Sequence, residues 1–180
     1  LLGKNIFPVI GKPMIEYSID ACIQSKYVDK IFVSTDCQKI IDVVSKYENV
    51  IIHKRNKELS DDKTFKQDVI VNVLSNTYEN TKNKKPDVVL SIQANSPQIT
   101  GTLIDSIIEC KIQNNRKEIF TVDNNLMQNG AVRAMDYEYC FLKTLSMYCG
   151  VYKCDLHDVH TFEDVKIVEN LIGKQNDRKF

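Results

Sequence analysis

Residues 87–97 read Asp-Val-Val-Leu-Ser-Ile-Gln-Ala-Asn-Ser-Pro, and this stretch decides the predicted fold. The run 87–93 is rich in β-branched residues, which is typical of a strand buried on both faces. Between Leu103 and Ile112 the apolar residues recur at the spacing of a helix. A buried strand followed by an amphipathic helix predicts one unit of a parallel α/β sheet with a right-handed crossover.

The same alternation of strand and helix continues on both sides of this unit. Three more β-branched runs predict strands at 31–35, 50–53 and 119–122. Helical patterns cover 13–24 and 65–78, and a last helix follows Thr161. The sequence therefore predicts an α/β fold with a mainly parallel, Rossmann-like sheet flanked by helices.

The last helix marks the end of the predicted domain. Thr161 is its predicted cap, and Asp164 stands three residues later in the capping-box position. We expect a single domain over residues 1–172, followed by a polar tail at 173–180 that frays. The polar stretch 77–85 predicts a solvated loop.

Composition and charge exclude several classes of protein. The 180 residues include 24 Lys and Arg and 24 Asp and Glu, so the formal net charge is zero. A nucleic-acid-binding surface would require a basic excess, and we therefore predict no nucleic-acid partner. No apolar run approaches the roughly 20 residues of a membrane span, and no signal-peptide pattern opens the chain. These features predict a cytoplasmic protein without a membrane partner.

Six cysteines indicate reduced thiols and not a disulfide scaffold. Small disulfide-bonded domains are denser in cysteine, and Cys22 and Cys110 lie within helical patterns, where a reduced thiol packs as a small apolar group. Four residues of zinc-ligand type lie close together, Cys149, Cys154, His157 and His160. Four ligands in so short a stretch leave little chain to surround a tetrahedral ion, so we favour packing beside a strand over a zinc site.

Several predicted strands end in polar residues. Gln93 and Ser96 follow the strand at 87–93, Asp36 follows another, and Arg55 a third. Ligands of open α/β sheets bind at the carboxyl ends of the strands. Amides can bond a base or ribose, basic groups can bind phosphates and carboxylates can hold Mg²⁺, so this set is typical of a nucleotide site. Simpler roles are also open: Asp36 as a helix cap and Arg55 as a surface charge.

Short motifs occur in a characteristic order along the chain. They are G-K-N-I-x-P-V-I-G-K-P-M-I (3–15), V-S-T-D (33–36), Arg55 with E-L-S-D-D (58–62), Q-A-N-S-P (93–97), N-G-A (129–131) and D-V-H-T-x-E-D (158–164). In this order they resemble the CMP-sugar synthetases. The chain looks like an acylneuraminate (sialic acid) cytidylyltransferase, with the CMP-Kdo synthetases as near relatives. The Q-x-x-S-P form at 93–97 favours the sialic-acid branch.

The resemblance implies a nucleotidyltransferase fold and a reaction. Family members join CTP to the anomeric hydroxyl of an α-keto sugar acid in the presence of Mg²⁺, giving a CMP-sugar and pyrophosphate. The nucleophile is the substrate's own hydroxyl, so no Ser-His-Asp arrangement is expected. Two alternatives stay open: a sugar nucleotidyltransferase with another nucleotide or acceptor, and a nucleotide-binding or scaffold module that keeps the fold and has lost turnover.

Carried over position by position, the resemblance implies roles for named residues. Lys4 is expected to face the triphosphate and to act in catalysis with Asp158, which is also the expected metal ligand. The expected nucleotide-binding residues are Asn5, Arg55, Gln93 and Ser96. The expected sugar-side residues are Asn129, Gly130 and His160.

The chain departs from the family pattern in three places. His160 stands where the family has a second aspartate, and imidazole is a poorer Mg²⁺ ligand than a carboxylate. The resemblance implies a homodimer, because an arm of the family's sugar-contacting region crosses into a partner subunit. The stretch 117–129 is shorter than that region, which argues against the usual dimer and against naming a particular sugar acid. The family's first strand and glycine-rich phosphate loop would precede Gly3, and we expect the sequence to omit these residues or the protein to be a fragment.

Overall fold

The computed structural model of the protein describes residues 1, 3–61, 63–79 and 84–177, and only the backbone of residue 79 and of residues 175–177. Several sequence-based expectations reach past these residues. Leu2, Asp62 of the motif at 58–62, residues 80–83 of the predicted loop and residues 178–180 of the predicted tail lie outside the described residues.

Helices and strands alternate along the described chain. The helices are α1 (Met14–Gln24), α2 (Gln38–Val44), α3 (Lys66–Leu74), α4 (Gly101–Gln113) and α5 (Phe162–Asp177). The strands are β1 (Pro8–Val9), β2 (Lys12–Pro13), β3 (Ile31–Thr35), β4 (Val50–Lys54), β5 (Val88–Ile92), β6 (Glu118–Val122), β7 (Gln128–Asp136) and β8 (Cys149–Lys153).

Within the described residues the strands form three hydrogen-bonded groups. β1 and β2 form a short antiparallel hairpin, and β3 pairs with β4 in parallel. The largest sheet has the order β5-β7-β6-β8. Its β6 and β8 are parallel, whereas β7 runs antiparallel to both of its neighbours. The predicted α/β fold, with a Rossmann-like arrangement of strands and flanking helices, is confirmed, and β7 makes the largest sheet a mixed one.

The strands rich in β-branched residues are the ones that the sequence predicts. The runs at 31–35, 50–53, 87–93 and 119–122 correspond to β3, β4, β5 and β6. β7 is absent from the predicted strands because Gly130 and Arg133 interrupt its apolar pattern. It begins at Gln128, so the N-G-A motif opens a central strand of the sheet.

The helix boundaries differ in detail from the predictions. The helix predicted at 65–78 is α-helical only as far as Leu74, and the chain then forms a π-helical turn, Ser75–Glu79. The N-cap residue of α2 is Cys37, so the interpretation of Asp36 as the cap is wrong. The capping box of α5 is confirmed, because the Thr161 hydroxyl accepts from the Asp164 N–H at 3.2 Å and the Thr161 N–H donates to Asp164 at 2.8 Å. α5 runs to Asp177.

Helix α1 contributes side chains to two apolar clusters, one beside β3 and β4 and the other beside β6 and β7. Ile15 and Ile19 belong to a buried cluster with Val44 of α2, and side chains of β3 and β4 pack against it. Two residues after Ile19, Ala21 belongs to a second cluster that joins α4 to β6 and β7. Both clusters are apolar, so they stabilise the fold in proportion to the area that they remove from water. The candidate site residues Arg55 and Gln93 directly follow β4 and β5, and Gly130 lies near the start of β7.

In the part of the chain that the structure describes, no helix combines the length and the apolar composition that crossing a bilayer requires.

Candidate functional site

Hydrogen bonds join the loop after β5 to the segment before α5. The Ser96 hydroxyl donates to the Asp158 carboxylate. Beside this contact, the Val159 N–H donates to the Asn95 carbonyl oxygen at 2.9 Å. Ser96 is fully buried and Asp158 is half-buried, so the hydroxyl holds the carboxylate from the protein side. Two predicted site residues, one from the nucleotide set and one expected to bind metal, are therefore in direct contact.

Gln93 and Gly130 form a second contact at the same edge of the sheet. The Gln93 side chain donates from Nε2 to the Gly130 carbonyl oxygen at 2.7 Å. Gly130 has φ +69°, and a Cβ at this position would overlap with the Gln93 amide. Only glycine fits here, because the backbone is left-handed and the amide fills the place of a side chain. The N-G-A motif thus requires its glycine, because the Gln93 amide lies over the backbone of β7 at this position.

Lys4 and His160 meet although they lie at opposite ends of the chain. Lys4 Nζ is 3.4 Å from His160 Nδ1. An ammonium group only donates hydrogen bonds, so Nδ1 is the acceptor in this contact. Lys4 and Asn5 lie in a 3₁₀ turn, Lys4–Ile6, which follows Gly3 in a left-handed conformation with φ 67°. The structure therefore places Lys4 and Asn5 on one turn, with His160 beside Lys4.

Lys66, the first residue of α3, lies near Gly130 although none of the sequence motifs contains it. Its Nζ is 3.8 Å from the position that a Cβ of Gly130 would take. Partial desolvation lowers the pKa of Lys66, the Asp158 charge raises it, and the Lys4 charge lowers it. A signal exists in the sequence, because a lysine in the first turn of a helix opposes the helix dipole and needs another reason to be there. The helix predicted at 65–78 already places Lys66 in its first turn, but this signal names no partner for the lysine.

Arg55 lies at the end of β4, on the two-stranded sheet. Its Nη2 donates to the Ser34 carbonyl oxygen at 2.6 Å, and its N–H donates to the Thr35 carbonyl oxygen at 2.9 Å. Among the described residues, Nε of Arg55 is a buried donor without a hydrogen-bond partner. Arg55 is therefore fixed by β3 and keeps an unused donor, which excludes its interpretation as a loose surface charge. Its role in binding a nucleotide stays a prediction.

Both polar atoms of the Asn129 side-chain amide form hydrogen bonds within the protein. Its Oδ1 accepts from the Thr121 hydroxyl at 2.6 Å and from the Ala131 N–H at 3.2 Å. Its Nδ2 donates to the Cys154 carbonyl oxygen at 2.8 Å. Asn129 thus ties the start of β7 to the ends of β6 and β8. This position shapes the sheet edge beside Gly130, while direct contact of Asn129 with a sugar stays a prediction.

Asp164 holds the segment that carries Asp158 and His160. Its carboxylate accepts from His157 Nε2 at 2.7 Å and from the His160 N–H at 3.0 Å, besides the Thr161 contacts of the capping box. The His157 hydrogen bond, followed by these backbone donors, holds the pKa of Asp164 well below its usual range. His157 is therefore a positioning partner of Asp164, and its N–H is fixed by Gln98 at 2.9 Å.

The chemistry of the donor set fits a magnesium ion better than a zinc ion. Within the described ranges, no group of three or more His, Cys, Asp or Glu side chains is arranged to hold a metal, and Cys149, Cys154, His157 and His160 do not form such a group. Mg²⁺ is commonly held by one or two carboxylates together with substrate phosphates and water. A half-buried Asp158 at the sheet edge suits that mode of binding.

All six cysteines are free thiols, and burial raises the pKa of Cys140 to about 12, which disfavours a thiolate there.

The sequence matches the family model described as cytidylyltransferase over residues 1–171. The chain belongs to the cytidylyltransferase family. Residues 3–172, over which the motifs were found, cover nearly the same range, and the predicted resemblance is confirmed.

Relatives with assigned names agree with this family. A pseudaminic acid cytidylyltransferase of Campylobacter jejuni is 32% identical over 117 residues, which are 65% of this chain and 50% of that protein. An N-acylneuraminate cytidylyltransferase of Streptococcus agalactiae is 38% identical over 77 residues, which are 42% of this chain and 18% of that protein. The chain thus spans at most about half the length of these relatives.

A solved structure shows the same fold at low sequence identity. The CMP:2-keto-3-deoxy-manno-octonic acid synthetase in complex with CTP aligns with a TM-score of 0.73 and 13% identity, covering 97% of this chain and 93% of that one. At this identity the likeness shows the fold alone. The agreement in fold covers nearly the whole chain, whereas the sequence motifs are short.

Proposed function

We propose that the protein transfers CMP from CTP to the anomeric hydroxyl of a sialic-acid-like α-keto sugar acid and releases pyrophosphate. The observation that carries the proposal is the meeting of Ser96 with Asp158 at the sheet edge in a chain of the cytidylyltransferase family. The names of the relatives, which act on pseudaminic acid and on N-acylneuraminate, support a nine-carbon sugar acid as acceptor.

The residues divide into a nucleotide side and a sugar side. On the nucleotide side, Arg55, Gln93 and Ser96 supply donors near the strand ends, and Lys4 with Asn5 faces the triphosphate. On the sugar side lie Gly130, Asn129 and His160. In the reaction the anomeric oxygen bonds to the α-phosphorus, the bond from that phosphorus to the pyrophosphate oxygen breaks, and the hydroxyl proton is released. Such transfers depend mainly on positioning and charge neutralisation, which cationic and hydrogen-bonding side chains supply.

Magnesium is the proposed cofactor, with Asp158 as its protein ligand. When bound, Mg²⁺ would neutralise charge on the phosphates of CTP. The Ser96 hydroxyl would keep the Asp158 carboxylate directed toward it. His160 supplies an imidazole where the family has a carboxylate, so we assign it to the sugar side, beside Lys4.

Pyrophosphate release is the direct test. The protein is mixed with CTP, Mg²⁺ and a panel of eight- and nine-carbon α-keto sugar acids, with UTP and GTP in parallel reactions. We expect release that requires CTP, a nine-carbon acid and Mg²⁺, and that stops on chelation. Preference for UTP or GTP would favour another sugar nucleotidyltransferase. Stabilisation by CTP without release for any acid would favour a binding module; His160 in place of the second aspartate is the observation behind that alternative.

Two further parts of the proposal concern the setting of the enzyme. Six free thiols are consistent with a reducing compartment, and we propose the cytoplasm. A homodimer stays a prediction, which sedimentation of the purified protein would test.

A further inference from the structure

Lys66 places a cation beside the part of the site assigned to the sugar. Its Nζ lies 3.8 Å from the point where a side chain of residue 130 would begin. Gly130 has no side chain, so the ammonium group reaches over the backbone of β7 at the sheet edge. Lys66 comes from α3, which none of the motif residues of the site belongs to. The site therefore has a cation that the motif order does not reveal.

The charges around Lys66 show where it lies relative to the catalytic set. Asp158 and Lys4 both act on it electrostatically, and Asp158 acts more strongly. Neither of the two is hydrogen-bonded to it. In the described part of the chain, no carboxylate lies within ion-pair distance of its ammonium group. Among the described residues, Lys66 thus has no ion pair of its own, and it lies near Gly130 and within the electrostatic influence of Asp158.

The chemistry of an α-keto sugar acid calls for a cation at such a point. The carboxylate of this acid is bonded to the anomeric carbon, which also carries the attacking hydroxyl. When that hydroxyl reaches the α-phosphorus, the carboxylate must lie close to the metal and the phosphates, where it needs a positive partner of its own. Lys4 is assigned to the triphosphate, so a second lysine on the sugar side meets this need.

We propose that Lys66 binds the carboxylate of the sugar acid and thereby positions the anomeric hydroxyl for attack on CTP. This inference rests on the proposed function, since it names a contact for the acceptor of that reaction. Lys66 is a binding residue for the substrate, and it distinguishes acidic sugars from neutral ones.

The test compares three variants by steady-state kinetics. Lys66→Met removes the charge and keeps the length of the side chain, Lys66→Arg keeps the charge, and Lys63→Met removes an exposed lysine three residues earlier as the matched control. We expect Lys66→Met to raise KM for the sugar acid at least about tenfold, as the loss of a hydrogen bond to a charged group requires. KM for CTP should stay within about twofold, and Lys66→Arg should recover most of the lost affinity.

A substrate analogue makes the assignment specific to the carboxylate. The sugar carboxamide, which lacks the charge, should bind weakly to the unaltered protein and no more weakly to Lys66→Met. An equal rise of KM for CTP, a fall in kcat with KM for the sugar unchanged, or unchanged kinetics would each overturn the inference. So would a further loss of carboxamide binding in the variant.

Calorimetric titration separates this inference from the proposed function. The sugar acid is titrated into the protein with CTP and Mg²⁺, and again without them. If no pyrophosphate is released but the acid binds and Lys66→Met abolishes binding, transfer is refuted and the contact is supported. If the acid binds equally to both proteins, or if the unaltered protein does not bind it, the contact is refuted.

Discussion

The Ser96 hydroxyl donates a hydrogen bond to the Asp158 carboxylate across 62 positions of sequence. Ser96 belongs to the loop that leaves β5, and Asp158 belongs to the segment that leads into α5. The contact fixes a carboxylate at the edge of the sheet, near enough to Lys66 for its charge to raise the pKa of that lysine. It therefore links the fold directly to the proposed chemistry.

Replacing Asp158 with asparagine tests this link. Asp158→Asn keeps an oxygen that can accept from Ser96 but removes the negative charge proposed to hold Mg²⁺. We expect kcat for pyrophosphate release to fall by at least about a hundredfold, the scale at which loss of one charge-stabilising group acts, with thermal unfolding nearly unchanged. Asp155→Asn, on an exposed residue bonded to Asn124, is the matched control. Equal activity of the two variants would remove Asp158 from the mechanism.

The Gly130 backbone predicts a large effect of a single methyl group. Gly130→Ala forces a side chain into a left-handed conformation and against the Gln93 amide. We expect the free energy of unfolding to fall by about 1–3 kcal/mol. Gly173→Ala is the contrasting variant, because Gly173 lies within α5 and no described atom outside this helix is within 4 Å of the position of a Cβ. Alanine should stabilise that helix by up to about 1 kcal/mol. Denaturant unfolding measures both; similar changes in the two variants would contradict the assigned geometry.

Replacing Arg55 is expected to weaken nucleotide binding selectively. Arg55→Lys keeps a positive charge but loses the fork that contacts Ser34 and carries the unused Nε. We expect affinity for CTP to fall about tenfold, which removes about 1.4 kcal/mol from the stabilisation by saturating CTP. Thermal shift at several CTP concentrations measures this. Lys54→Gln, at the exposed neighbouring position, should leave the shift intact; a shift unchanged in Arg55→Lys would place the nucleotide elsewhere.

Asp164 predicts a pH dependence of stability. Its pKa is depressed below the ordinary value of 3.8 by the His157 hydrogen bond and by backbone N–H donors. A depressed carboxyl pKa stabilises the fold fully above the unfolded-state pKa, and this stabilisation is lost as the pH falls through the folded-state value. Asp164→Asn should therefore destabilise at pH 7, and its difference from the unaltered protein should shrink below pH 3.8.

Thermal unfolding across pH measures this difference. Glu163→Gln, which removes a carboxylate from the same helical turn without touching these donors, is the control. A difference that stays constant from pH 7 into the acid range would show that the Asp164 charge contributes nothing to stability.

The sequence predicts the parts of the fold whose side chains repeat regularly. β3, β5 and β6 are runs of β-branched residues, and α4 has an apolar stripe, so their burial is visible in the pattern. β7 breaks this rule because Arg133 occupies a sheet position and pairs with buried Glu118 at 2.6 Å. A charged pair inside a sheet cannot be recognised from the sequence, because each of its residues interrupts the apolar pattern that predicts a strand.

The site was predictable only in part, for a related reason. Ser96, Asp158 and Gln93 stand in motifs whose order implies their roles. The contact between Lys4 and His160 joins positions 156 residues apart, and the approach of Lys66 to Gly130 joins α3 to β7. Such contacts follow from tertiary packing, for which a local pattern holds no information.

The packing of α1 also determines how the two sheets are spaced. Among the described residues, no backbone ladder joins the sheet that carries Arg55 to the sheet that carries Gln93 and Ser96. The two are spaced by the side chains of one helix, with Ile15 and Ile19 on one side and Ala21 on the other. The spacing between Arg55 and Gln93 therefore depends on side-chain volume in α1. Under the proposed function, a buried residue that never touches CTP would then affect how CTP binds.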